Sequence, residues 1–370
     1  MEFSLDRSSL SWLVQTASKP IPARATLPVL KNILIEGTSG QITVCGMNLD
    51  WGIKVTIPCQ CESAGSMTVN SKLLQDVIRT LPSGEVRMSL SESEWSLLIA
   101  SGTSKMYINA SPGEDFPPWP EESDDYEIVL DKNVFRRMVE VGTACAVANA
   151  ARPLWAACFM EVKDNELRMV STDLFSLAVA RTAVKSPEIG VIVLAKVLQD
   201  LASLLDDQDE KSVHIRVGQS HAFFSLGPVS AFARLIEGQY YAYQQVIPKS
   251  FRTQVRVDTE QLIASASRAS VLASEEDKAM RLRIGSSSVT VRAGSSDKGR
   301  MEEEIPAEVE GDEMEICIQH RYALLAAKGV GTTRTVLKAT GEVSPLAIEP
   351  LDDDSPVKPT FVVMPMKPGA

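Results

Sequence analysis

Histidine is nearly absent from the 370 residues: His214, His221 and His320 are the only three, and their separations give no cluster at metal-ligand spacing. Cysteine is sparse too. Of Cys45, Cys59, Cys61, Cys145, Cys158 and Cys317, only Cys59 and Cys61 lie close together, and a C-x-C pair reads most simply as alternate residues facing one way along a strand. No metal and no cofactor is expected. Apolar runs stay well short of the ~18 residues needed to cross a bilayer. The opening MEFSLDRSSL has neither a basic n-region nor an apolar core, so the cytoplasm is the expected location and no membrane partner is expected. No Walker-type phosphate loop occurs, since Gly329-Val330-Gly331 lacks the Gly and Lys that would follow, and there is no Gly-x-Ser-x-Gly elbow. The run Asp352-Asp353-Asp354 reads as a solvated loop. An enzyme is therefore not expected. Positive charge is in deficit as well: 37 Lys and Arg against 48 Asp and Glu leave −11. This excludes a protein that coats nucleic acid with its whole surface, but not one that offers DNA a selected face.

What the chain does have is self-similarity at a period of about 125 residues, too long for a solenoid and suited to duplicated domains. Phe3-Ser4-Leu5-Asp6, Ile128-Val129-Leu130-Asp131 and Val255-Arg256-Val257-Asp258 open three segments alike, each with alternating apolar residues and an Asp placed to cap a helix. Behind the caps run the apolar stripes Leu10, Leu13, Val14, Ala17; Val134, Met138, Val141; and Leu262, Ala266, Ala269. A second helix recurs in each segment, with stripes Leu74, Val77, Ile78, Leu81; Leu198, Leu201, Ala202, Leu205; and Ala323, Ala326, Ala327, Val330. Strand-like runs separated by turn residues fill the interval between the helices: 32–36, 41–46 and 52–57, then 156–161, 167–171 and 177–182. The expected fold is α+β, three repeated domains over 1–123, 124–250 and 251–370, each of two helices and antiparallel sheets. The acidic, proline-rich stretch 112–125 fits a linker.

Particular words in the chain carry a resemblance to the DNA polymerase III β subunit family, the bacterial sliding clamps. The ending Val362-Val363-Met364-Pro365-Met366-Lys367 resembles that family's C-terminal signature, and Arg24-Ala25-Thr26-Leu27-Pro28-Val29-Leu30 its Arg-Pro-Thr-Leu-Pro-Ile-Leu stretch. Asp115-Phe116-Pro117, Arg152-Pro153 and Ser171-Thr172-Asp173 with Leu177-Ala178 resemble further family words, in order along the whole chain. The resemblance implies a non-catalytic processivity factor: a head-to-tail homodimer whose six clamp domains close a pseudo-sixfold ring around double-stranded DNA, without reading its sequence. Its partners would be a DNA polymerase, a clamp loader and other proteins bearing short apolar motifs.

Residue by residue, the resemblance and the helix faces point to Arg24, Lys72, Arg79, Arg136, Arg137, Arg152, Lys196, Arg268 and Arg321 as DNA-facing cations. A partner-peptide pocket is expected from Trp155, Thr172, Leu174, Phe175, Leu177, Tyr241, Val246, Val363, Met364, Pro365 and Met366. For the dimer seam, Met106 and Ile108 would bury against Val271 and Leu272 of a second copy, and Glu302, Glu303 and Glu304 would pair with Lys105. Two places depart from the family. Leu174-Phe175-Ser176 stands where Gly-His-Arg is usual, and Gln239-Tyr240-Tyr241-Ala242-Tyr243 where Arg-Phe-Pro-Asp-Tyr is usual. Both fall in the pocket, so a narrower, less basic mouth and weaker binding of standard clamp peptides are expected. A paralogue acting as an accessory or inhibitory ring is the alternative to the main replicative clamp.

Overall fold

The computed structural model describes residues 1–24, 27–122, 126–148, 152–205, 210–276, 278–351 and 354–366. Ala25, Thr26, Asp352, Asp353 and Lys367, and the proposed boundary at 123–124, lie outside them. Among the described residues there are six α-helices: α1 (Arg7–Ala17), α2 (Ser71–Thr80), α3 (Lys132–Gly142), α4 (Ala195–Ala202), α5 (Thr259–Leu272) and α6 (His320–Val330). None is long and apolar enough to cross a membrane.

The helices begin where the caps place them. The Asp6 carboxylate accepts Ser8 N–H at 2.8 Å and that of Asp258 accepts Gln261 N–H at 2.9 Å, each relieving a first-turn donor. The backbone and side-chain donors of Ser8 hold the Asp6 carboxyl below its ordinary range. Asn70 does the same work for α2, accepting from Leu73 N–H at 3.0 Å. The apolar stripes are the buried faces: Leu13, Val14 and Ala17 of α1 are fully buried, as are Ala266 and Ala269 of α5 and Ala326 and Ala327 of α6.

The strands assemble into two sheets, each within its own compact unit. The first unit comprises 1–132 and 203–235, the second 133–202 and 236–370. In the first, thirteen strands run in the order Tyr126–Asp131, Ser212–Val217, His221–Leu226, Val229–Arg234, Trp51–Pro58, Gln41–Met47, Asn32–Thr38, Gly65–Asn70, Ser104–Pro112, Ser96–Ser101, Glu85–Ser91, Glu2–Asp6 and Gln60–Ser63. In the second, twelve run Ile189–Leu194, Ala157–Lys163, Glu166–Thr172, Ser176–Ala183, Lys358–Val363, Leu346–Pro350, Arg334–Ala339, Thr253–Asp258, Gly299–Gly311, Ser288–Ser295, Ala279–Ile284 and Met314–Gln319. The middle repeat is thus divided. Four of its strands continue the first repeat's sheet, with Val229 opposite Val55, and four continue the third repeat's, with Ser176 opposite Val363.

The stretch expected to be a linker is packed. Phe116 is buried, and Trp119 sits edge-on to Phe232 with ring centroids 4.8 Å apart, under the Lys54 ammonium. Leu30, Cys45, Met47 and Phe223 complete that cluster. Glu114, Asp115, Glu121 and Glu122 face outward while Phe116 and Trp119 close a core, which composition alone does not separate.

Candidate partner pocket and open strand edges

An apolar cavity lies in the second unit. It measures about 220 Å³ and is lined by Thr172, Leu174, Ser176, Leu177, Tyr241, Ala242, Tyr243, Val246, Val362 and Met364. Its floor is core: Leu177, Tyr243 and Val362 are at most 4% exposed and pack with Val170, Val179, Ile192 and Tyr240. Phe159 stacks on Tyr240 at 5.1 Å, and Tyr243 donates to the Glu161 carboxylate at 2.7 Å, so the aromatic wall is fixed. Burial and the Glu161 carboxylate push the Tyr243 hydroxyl well above the ordinary tyrosine range, so it remains a neutral donor.

The mouth is made by the turn between Glu166–Thr172 and Ser176–Ala183. Leu174 adopts φ +71°, a left-handed conformation costly for a branched side chain. Hydrogen bonds hold it there. The Thr172 hydroxyl accepts Leu174 N–H at 2.9 Å and donates to Ser176 C=O at 2.6 Å, while the Asp173 carboxylate accepts Phe175 N–H at 3.0 Å and Ser176 N–H at 2.7 Å. From below, Tyr322 of α6 donates to the same carboxylate at 2.6 Å.

Of the residues expected in the pocket, the cavity brings together Thr172, Leu174, Leu177, Tyr241, Val246 and Met364. The other five do not line it. Val363 points to the opposite face of its strand from Val362 and is 1% exposed, because side chains alternate along a strand. Phe175 turns its ring outward, 54% exposed, and offers its carbonyl to Met364 N–H. Trp155 lies under the Arg152 guanidinium, 4.5 Å from the ring centroid. Met366 N–H is bound by Cys317 C=O, which leads Pro365 and Met366 away toward the Met314–Gln319 strand. Ser176, Ala242, Tyr243 and Val362 were missed; for Val362, period-two alternation with Met364 was the available signal.

The cations expected to face DNA divide by environment. Arg24 and Lys72 are exposed. Arg79 and Lys196 are also solvated, each beside a carboxylate of its own helix, Asp76 and Asp200. Arg136 is half-buried. Arg137 caps α6 instead, donating to Gly329 C=O at 2.6 Å and Val330 C=O at 2.9 Å. Arg268 is forked onto the Glu303 carboxylate, which lowers that carboxyl below its usual range. Arg321 lies over the Tyr322 ring at 4.4 Å.

Two long strands each leave half an edge open. Ser104–Asn109 pairs with Ser96–Ser101, and only Ala110–Pro112 turns to pair with Gly65–Asn70. Gly299–Pro306 pairs with Ser288–Ser295, and only Ala307–Gly311 pairs with Thr253–Asp258. Among the described residues, the second edges of 104–109 and of 299–306 have no strand beside them. Lys105 and Tyr107 are exposed there, whereas Ile108 faces its own core and is 8% exposed. Val271 is 67% exposed and Leu272 half-buried. Glu302 is held by Arg292 at 3.0 Å and Glu303 by Arg268, and Glu304 is exposed.

Family models of the DNA polymerase III beta subunit match the chain end to end: its N-terminal domain over residues 1–120, central domain over 129–241 and C-terminal domain over 244–367. The chain belongs to the DNA polymerase III beta subunit family. It is similar to the beta sliding clamp of Staphylococcus epidermidis, 27% identical over 367 residues that cover 96% of this chain and 97% of that one. The beta sliding clamp of Synechococcus elongatus is 25% identical, with 99% of each chain covered. Among solved structures, the DNA polymerase III subunit beta from Pseudomonas aeruginosa superposes with a TM-score of 0.92 at 26% identity, covering 99% of this chain and 100% of that one. A sliding clamp from the same organism, bound to griselimycin, gives the same score and identity, with 99% of each chain covered. These matches bear out the α+β fold of three clamp domains. They also make the chain, in function, a sliding clamp: a non-catalytic processivity factor of DNA replication. Nothing in them favours an accessory or inhibitory ring.

Proposed function

We propose that two copies of this chain close head to tail into a ring that encircles duplex DNA and tethers a DNA polymerase, with the clamp loader and other proteins sharing the apolar cavity. The observation that carries this reading is the pair of half-open strands. The free edge of 104–109 in one copy and that of 299–306 in the other are both six to eight residues of unpaired backbone, a length suited to antiparallel addition. Joining them satisfies backbone groups otherwise left to water and makes the sheet continuous across each seam. Lys105 then meets Glu304 at the rim, and Val271 finds cover. With two identical seams closing one basic-lined hole, DNA is held by topology, and individual phosphate contacts stay weak enough for sliding.

The cavity suits a short peptide better than a rigid cofactor: it is apolar, edged by a few hydroxyls, and open on one side. The test of the ring is direct. Light scattering should give twice the 40.3 kDa chain mass, and protein loaded on closed circular DNA should be retained until the circle is cut. A single-chain mass at every concentration, with equal loss from circular and linear DNA, overturns the reading.

A further inference from the structure

The second unit carries a further groove, apart from the peptide cavity, on the face of the Ala279–Ile284, Ser288–Ser295 and Gly299–Gly311 strands beside the open edge of the last. It measures about 720 Å³ and is lined by Arg281, Arg292, Arg300, Gly294 and Glu302, with Ala279, Ala293 and Met301 beside them. The register explains why three guanidiniums meet there. Arg281 stands directly opposite Arg292 across the Ala279–Ile284 and Ser288–Ser295 strands, and Arg300 stands opposite Gly294 on the next strand. Like charges in facing positions of a sheet repel, so two arginines in register are a cost to the fold unless something negative lies between them. Gly294 keeps the space open. A Cβ there would come within 2.8 Å of the Gly299 carbonyl and 3.0 Å of Arg300 Cα, so no side chain can fill the floor.

The acids at hand do not balance this cluster. Arg292 has Glu302 at 3.0 Å and Arg281 has Glu315 at 3.5 Å. Glu302 feels Arg292 most strongly and also Arg283 and Arg300, all of which pull its carboxyl below the ordinary range; one carboxylate serves several cations. The Nε–H of Arg292 is shielded from solvent and has no hydrogen-bond partner among the described residues. A buried donor left without an acceptor is costly, and here it belongs to a charged group beside an open groove.

We propose that this groove is a binding site for a phosphoryl group, held by Arg281, Arg292 and Arg300. Guanidinium forks bind phosphate oxygens bidentately, and three of them around one floor favour a multiply charged oxyanion over a single carboxylate. Such a group arrives either as a free polyphosphate or nucleotide or as the backbone of a DNA strand. The chemistry is shared, so the experiment separates the two.

The full-length chain is titrated calorimetrically with inorganic pyrophosphate in phosphate-free buffer, with sodium chloride at matched ionic strength as the reference. Saturable binding at one site per chain is expected, weakened about ten-fold by Arg292→Gln and by Arg300→Gln, whose circular dichroism should remain that of the parent. Glu302→Gln removes the competing carboxylate and should tighten binding, a gain that misfolding cannot produce. A single-stranded oligothymidylate that displaces pyrophosphate identifies a DNA strand as the source; failure to displace it identifies the free anion. Heat no different from that of chloride, or equal affinity in the parent and both arginine variants, overturns the site.

Discussion

Asp173 lies beneath the mouth of the peptide cavity, 6% exposed, with both carboxylate oxygens in use: one for the turn's N–H groups, the other for Tyr322. Burial, together with the Asp173 carboxylate, raises the Tyr322 hydroxyl well above its ordinary range, which keeps the proton on the tyrosine. Tyr322→Phe removes that donor and leaves a buried acceptor short of a partner, so a loss of about 1–3 kcal/mol in unfolding free energy is expected from denaturant titration. Leu174 poses the opposite case. Relief of its left-handed backbone in Leu174→Gly, roughly 1–2 kcal/mol, is offset by about 0.5–1 kcal/mol of glycine entropy, so stability should barely move. The wider mouth should nonetheless bind a polymerase-derived clamp peptide more tightly than the parent does, as fluorescence anisotropy can show. Glu303 supplies a pH test. Its folded-state carboxyl lies below the ordinary 4.5 because Arg268 binds it. Its contribution is therefore complete above that value and disappears as pH falls through the lower folded one. The melting temperature should differ between parent and Glu303→Gln at neutral pH, and the difference should close on acidification below about 4.5.

At the scale of elements, α6 shows how a helix end acquires its stability from outside. Its C-terminus turns at Gly331, φ +71°, and its last carbonyls are met by Arg137, a residue of α3 some 190 positions away. A cation at that end also complements the helix dipole. Arg137→Ala should cost about 1–3 kcal/mol in stability, with little change in DNA retention. Loss of retention with unchanged stability would return Arg137 to the DNA-facing set. The helices, the strands that open each repeat and the strand runs within 32–57 and 156–182 were legible in the sequence because their signals are local: an Asp before an apolar stripe, alternation within a run, a turn residue at each end. The same locality explains where the reading stopped. Val362 and Val363 are equally apolar neighbours, and only the strand's register decides which faces the cavity and which the core.

For the whole molecule, net charge of −11 means that any attraction to DNA comes from a minority of cations on one surface. Affinity for linear duplex, where topology gives no help, should fall steeply with salt, and neutralising an exposed contact such as Lys72 or Arg24 should reduce the slope of log K against log salt by about 1 each. A slope unchanged in both variants would remove these two from the DNA-facing surface. By itself the sequence determined three copies of one α+β unit, the positions of the helices and the family, since repeat spacing, caps and apolar periods are written in residues close together along the chain. The tertiary structure alone decided that the middle copy lends its strands to two sheets, that the acidic stretch before it is packed, and which arginines are committed to protein partners. Those outcomes depend on groups far apart in sequence, such as Asp173 and Tyr322, 149 positions distant, whose meeting no local pattern encodes.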